Sequence, residues 1–84
     1  MTADTTTTSA TLDVQGLSCP LPVLKANKAL RGMAPGATLT VLATDPAAAK
    51  DFAAFSAETG HELLSSTADA GGVLRFVLRR RGAP

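Results

Sequence analysis

Tryptophan and tyrosine are absent from this chain, phenylalanine occurs three times, and cysteine and histidine occur once each among 84 residues. Without indole or phenol rings there is no aromatic platform of the kind on which bases or bulky cofactors stack. A lone thiol forms no internal disulfide, excludes Cys-x-x-Cys dithiol chemistry and persists most readily in a reducing compartment. One cysteine and one histidine do not make a zinc site. No run approaches the roughly 18 apolar residues of a membrane span, and the threonine-rich start has neither the basic nor the apolar segment of a secretory leader, so the expected address is cytoplasmic. A net charge of +1 exerts no general pull on nucleic acid or anionic lipid, and neither a stable nucleic-acid partner nor a membrane is expected.

What remains is small and aliphatic. Residues 1–10 hold five threonines and no large side chain after Met1, and are expected to be a disordered tail. Residues 11–81 are expected to form one domain and 82–84 a second short tail. The hydrophobic fraction of 45% is inflated by alanine. The core must therefore come from about twenty Leu, Val, Phe and Met side chains between Leu12 and Leu78, which leaves little room for a deep pocket. Chemistry is expected at the surface, and a monomer is the default expectation.

Alternation in Thr11-Leu12-Asp13-Val14-Gln15 predicts a half-buried first strand ending at Gly16. From Pro20 to about Met33 the period becomes helical, gathering Val23, Ala26, Asn27, Leu30 and Met33 on one side at about 100° per residue. Ala34-Pro35-Gly36 ends it. Thr38 to Ala43 is rich in β-branched residues and predicts a second strand. Thr44-Asp45-Pro46 is a helix-start pattern, with Asp45 as cap and Pro46 at the first helical position. The second helix is expected to run to about Thr59, with Ala48, Phe52 and Phe55 as its buried stripe and Gly60 as its stop. Glu62 to Thr67 and Val73 to Arg79 predict a closing hairpin around the glycines at 71 and 72. The fold class that follows is α/β (α+β): a two-layer sandwich of order β-α-β-α-β-β, with a four-stranded mixed sheet and both helices on one face. Arg79, Arg80 and Arg81 read as a solvated basic tail.

The segment richest in chemistry is Gly16-Leu17-Ser18-Cys19-Pro20-Leu21-Pro22, which delivers the only cysteine from a loop into a helix opened by two prolines. A lone cysteine is ordinarily a small buried hydrophobe, but placement before a Pro-x-Pro helix start points outward. The positive end of the helix is expected to favour the thiolate modestly and lower its pKa. Pro20 and Pro22 have no N–H, so Leu21 is left as a single donor that is expected to face the sulfur. A Cys-His nucleophile pair would need His61 beside Cys19; the topology instead places His61 beyond the second helix, as an ordinary histidine at the surface or the start of a strand. Leu24, Lys28 and Arg31 share a solvent-facing side of the first helix with Lys25 at its edge. Together with Asp45 they form the candidate docking surface for partners.

Several short patterns, taken together, resemble one known family. Leu12-Asp13 with Gly16-Leu17, Cys19-Pro20-x-Pro22-Val23, Met33-x-Pro35-Gly36, Asp45-Pro46 and Gly60-His61-Glu62-Leu63 are similar to the TusA/SirA-like sulfur carrier proteins over about residues 11 to 80. The resemblance implies a sulfurtransferase in the broad sense, a stoichiometric relay rather than a turnover enzyme. Its cysteine, here Cys19, takes sulfur as a persulfide from a cysteine desulfurase or rhodanese-like donor and passes it to an acceptor protein. No cofactor other than that covalent sulfur is implied. Pro20, Leu21 and Pro22 match the supporting motif, although Ser18 and Leu21 stand where a basic and an acidic residue often occur in tRNA-thiolation carriers. The destination stays open among tRNA thiolation, cofactor sulfuration, selenium metabolism and sulfur oxidation. The competing classes are a non-catalytic RNA-binding module and a thiol-redox regulatory module.

Overall fold

The computed structural model describes residues 9–82. Four strands and two helices alternate as β1 (Ser9–Asp13), α1 (Leu21–Arg31), β2 (Thr38–Ala43), α2 (Ala48–Thr59), β3 (Glu62–Ala68) and β4 (Leu74–Arg79). The sheet order is β1-β2-β4-β3. β1 runs parallel to β2, while β4 lies antiparallel to both β2 and β3.

One face of this sheet is the core. Leu39, Val41 and Ala43 of β2 are fully buried, and the register sets Leu39 beside Leu78 and Val41 beside Phe76 of β4. The alternate residues of β2 are only half-buried, as period-two alternation requires. Ala26 and Leu30 of α1 and Ala48, Phe52 and Phe55 of α2 complete the same cluster, so both helices cover one face. Phe52 stacks on Phe76 with ring centroids 4.7 Å apart and meets Phe55 edge-on at 6.3 Å.

The differences from expectation lie at element ends. β1 starts at Ser9, inside the segment expected as a tail, because backbone pairing with Thr38 of β2 extends the ladder regardless of side-chain size. The expected inward face persists, with Ala10 and Leu12 half-buried and Val14 buried just past the strand, its N–H donating to Leu42 O at 2.8 Å. The rest of the expected N-terminal tail, 1–8, lies outside the described residues, as do 83 and 84 of the C-terminal one. α1 is shorter than predicted, since Gly32 N–H and Met33 N–H turn back to the carbonyls of Ala29 and Leu30. Pro46 and Ala47 form a turn ahead of α2 rather than its first residues.

Gly60 ends α2 at φ +82°, a backbone region that suits glycine, and its N–H donates to Ser56 O at 3.0 Å. Arg79 and Arg81 are exposed, as expected of a solvated cluster, and Arg80 is half-buried, but all three are tied to the fold. Arg79 pairs with Glu62 across the hairpin. Arg80 exchanges backbone hydrogen bonds with 36 and 37: its N–H donates to Ala37 O at 2.8 Å, and its carbonyl accepts Gly36 N–H at 2.9 Å. No helix among the described residues is long and apolar enough to cross a membrane.

Phe52 is 0% exposed and joins α2 to the sheet. Phe52→Ala is expected to cost about 3–5 kcal/mol, a large share of the stability of a domain this small. Urea unfolding followed by circular dichroism checks it, and a loss below about 1 kcal/mol would contradict this core assignment.

Candidate functional site

Parallel pairing of β1 and β2 brings the two loops that follow them to the same end of the sheet. The loop after β1 carries Cys19, and the loop after β2 carries Thr44 and Asp45. They are joined by side-chain oxygens accepting backbone donors. Thr44 Oγ1 accepts Gly16 N–H at 2.8 Å, and Asp45 Oδ2 accepts Cys19 N–H at 2.5 Å. The other oxygen, Asp45 Oδ1, accepts Ala47 N–H at 2.9 Å. Asp45 therefore ties the cysteine loop to the start of α2. The Ala47 and Cys19 N–H groups hold its carboxyl below the usual aspartate range against a small opposing effect of burial. Asp45 is not the helix cap expected, since Ala47 precedes α2 without a side-chain cap bond; its two oxygens instead close the turn ahead of the helix and secure the cysteine backbone.

Cys19 is exposed, and the Cys19–Pro20 peptide bond is cis. Pro20 is the residue preceding α1, and Pro22 is buried within its first turn. Cys19 thus sits one residue outside the helix cap. Leu21 N–H does not face the sulfur as expected; it closes a turn by donating to Ser18 O at 2.9 Å, and Leu24 N–H donates to Pro20 O at 3.1 Å.

The expected lowering of the thiol pKa is reversed. The Asp51 carboxylate raises it most, as a hydrogen-bond acceptor that favours the protonated thiol. Partial desolvation and the negative charges of Asp51 and Asp45 push in the same direction, and Lys50 opposes them weakly. The dominant charge at the sulfur is not that of the α1 end, because Asp51 in the first turn of α2 and Asp45 in the loop before it bring two carboxylates to it. Asp51 is the functional candidate that sequence reasoning missed. Its clue was positional: it flanks the buried stripe Ala48, Phe52 and Phe55 in the first turn of a helix whose start was already placed by Thr44-Asp45-Pro46.

Beside the thiol an open cleft of about 180 Å³ runs between the helices, floored by Pro20, Val23, Ala54 and Phe55 with Asp51 and Glu58 on its walls. Leu21 and Leu24 are 43% and 56% exposed, two of the three large apolar side chains so displayed among the described residues. Lys25, Lys28 and Arg31 are also exposed. They do not form one patch. Lys25 and Lys28 border a shallow depression with Leu12, Ala29 and Gly32, whereas Arg31 turns to a separate cavity shared with Arg80 and Arg81.

His61 belongs to that second cavity and not to the cleft beside Cys19. It is buried rather than at the surface, and its Nδ1 accepts Arg81 N–H at 3.0 Å. Burial first, and then the nearby Arg81 and Arg80 charges, lower its pKa and keep the ring neutral.

Comparison with known proteins places this geometry in a family. The profile described as "Sulfurtransferase TusA" matches residues 10–80. The "Sulfur carrier protein TusA" of Allochromatium vinosum is 48% identical over 69 residues, covering 82% of this chain and 90% of the relative. A "putative sulfur carrier protein" of Neisseria meningitidis is 52% identical over 73 residues, covering 87% of this chain and 97% of the relative. Among solved structures, the crystal structure of a SirA-like protein from Desulfitobacterium hafniense superposes with a TM-score of 0.77 at 25% identity, covering 86% of this chain and 97% of that one.

Replacing Asp51 by Asn removes a negative charge and a strong acceptor, so the Cys19 pKa should fall. At pH 7 to 8 the thiolate fraction rises, and alkylation by iodoacetamide should run several-fold faster than in the wild type. Rates measured against pH check this; an unchanged or slower reaction would show that Asp51 does not control the thiol.

Proposed function

The chain belongs to the sulfurtransferase TusA family of sulfur carriers, and from that premise we propose that Cys19 carries the sulfur as a persulfide between two partner proteins. The observation that carries this reading is an exposed thiol on a loop secured at its backbone by Asp45. In loading, Cys19 Sγ attacks the outer sulfur of a donor persulfide. The new S–S bond forms on Cys19 as the donor's S–S bond breaks, and the donor cysteine leaves as a thiol. A thiol and a persulfide are exchanged for a persulfide and a thiol, with no net oxidation. Unloading repeats the exchange with the acceptor.

Asp51 has three effects in this scheme. It keeps Cys19 protonated between encounters, and so less open to stray electrophiles, because the thiolate is the nucleophile. During attack it holds the departing proton on its way to the donor's leaving thiolate. Once sulfur is loaded, the same negative charge repels an anionic persulfide and turns the outer sulfur towards the partner. The carrier is thereby biased towards release. Such a relay uses no resident cofactor or metal and works in the reducing cytoplasm with a cysteine desulfurase or rhodanese-like donor.

Partners need a surface as well as a sulfur. Leu21 and Leu24 supply exposed apolar area beside Cys19, with Pro20 between it and the cleft. Lys25 and Lys28 supply a charged rim that steers an acidic partner.

Incubation with a cysteine desulfurase and cysteine, or with a loaded rhodanese-like donor, should add one sulfur atom by mass spectrometry. The addition should be removed by reductant and absent in Cys19→Ser. Unchanged mass with both donors, or addition that persists in Cys19→Ser, would overturn the proposal. The docking rim has its own test: Lys25→Glu combined with Lys28→Glu should slow loading on the order of tenfold at low salt, while circular dichroism stays the same. Loading at the wild-type rate would remove the rim from the docking surface.

A further inference from the structure

At the end of α1 farthest from Cys19, a second cavity of about 280 Å³ opens between the ends of both helices and the last strand. It is lined by three arginines, Arg31, Arg80 and Arg81, with Asn27 and His61. Glu58 is the one carboxylate on its wall, and it lies within ion-pair distance of none of the three arginines, the Arg79 to Glu62 pair being the ion pair found among the described residues. The walls therefore carry an excess of positive charge in a protein whose overall charge is +1.

The backbone of this wall is fixed in place. Arg80 is held by backbone hydrogen bonds to both 36 and 37. Arg81 gives its own N–H to His61 Nδ1, and its guanidinium donates to Thr59 O at 3.0 Å. That last bond neutralises the exposed carbonyl end of α2, which would otherwise repel an anion. Because Nδ1 accepts a hydrogen, the neutral His61 ring carries its proton on Nε2 and is a donor there. One donor has no partner at all: Arg80 Nε is sealed from solvent and makes no hydrogen bond. A buried guanidinium N–H without an acceptor is costly, so a turn of the Arg80 side chain towards an acceptor in the cavity is favoured.

We propose that the cavity walled by Arg31, Arg80, Arg81 and His61 is a binding site for a tetrahedral oxyanion of the phosphate or sulfate type, free or as the terminal group of a small molecule. The planar forks of arginine match several oxygens of one such ion at once, which a single carboxylate or a halide cannot satisfy. The volume exceeds the roughly 30 Å³ share of a single water and leaves room for an ester substituent. The site is independent of the sulfur reading, since none of its donors lines the cleft beside Cys19.

The test is a titration of the ¹⁵N-labelled protein, following the Arg80 Nε–H resonance with inorganic phosphate, a nucleoside monophosphate, or sodium chloride at matched ionic strength. A saturable shift with either phosphate, and none with chloride, is expected; tighter binding of the free ion or of the ester identifies which source the site takes. Arg31→Gln, an exposed change that leaves the fold in place, should weaken binding about tenfold. Arg80→Lys, which keeps the charge but removes the Nε–H and is therefore followed through the backbone amide of Arg81, should abolish it. Arg75→Gln on the outer face of β4 and Cys19→Ser should each leave it unchanged. A linear response, an equal response to chloride, or undiminished affinity in Arg31→Gln would overturn the proposal.

Discussion

The carboxylate of Asp45 accepts two backbone N–H groups from separate parts of the chain, Ala47 at the start of α2 and Cys19 on the loop before α1. Those donors face one another only because β1 and β2 run parallel, which brings both following loops to one end of the sheet. The position of the sulfur follows from that bridge. With its amide held, Cys19 cannot fold back into the small core, and its side chain is left at the surface within reach of Asp51. Because both donors hold Asp45 below the usual aspartate range, the bridge contributes stability above the ordinary aspartate pKa and loses it only as pH falls through the lowered value.

A carrier has opposite requirements at its sulfur: enough reactivity to accept, and too little affinity to keep. The structure meets them with charge rather than with a pocket. Twenty or so core side chains suffice for a two-layer fold but not for an enclosed site, so the negative charges that act on the thiol come from Asp51 in the first turn of α2 and Asp45 in the loop before it. The same economy leaves the proposed partner surface to what α1 keeps uncovered, Leu21, Leu24, Lys25 and Lys28, once Pro22, Ala26 and Leu30 have gone into the core.

Elements whose identity lies in local period were readable from the chain. β2 alternates over Thr38 to Ala43, and the stripe Ala48, Phe52 and Phe55 repeats at helical spacing; both stand where the pattern put them. What tertiary neighbours decide was not readable. Ser9 and Ala10 look like a tail by composition, yet the ladder with β2 recruits them. Leu21 N–H looks free until Ser18 O takes it. A helix start ordinarily lowers a thiol pKa, but the dipole's modest effect, about 0.3–1 kcal/mol at exposed sites, is outweighed by carboxylates that no local window around Cys19 contains. Arg80 and Arg81 likewise read as solvated because their partners, Gly36, Ala37, Thr59 and His61, are remote in sequence.

The Asp45 bridge can be observed directly through the amide proton of Cys19. In ¹H–¹⁵N spectra recorded from neutral to strongly acid pH, that resonance should sit downfield and move with a midpoint below the ordinary aspartate value of about 3.9, while in Asp45→Asn it should lie upfield and not titrate. A wild-type Cys19 amide that is indifferent to pH across this range would mean that no carboxylate holds the loop, and the placement of the sulfur would need another cause.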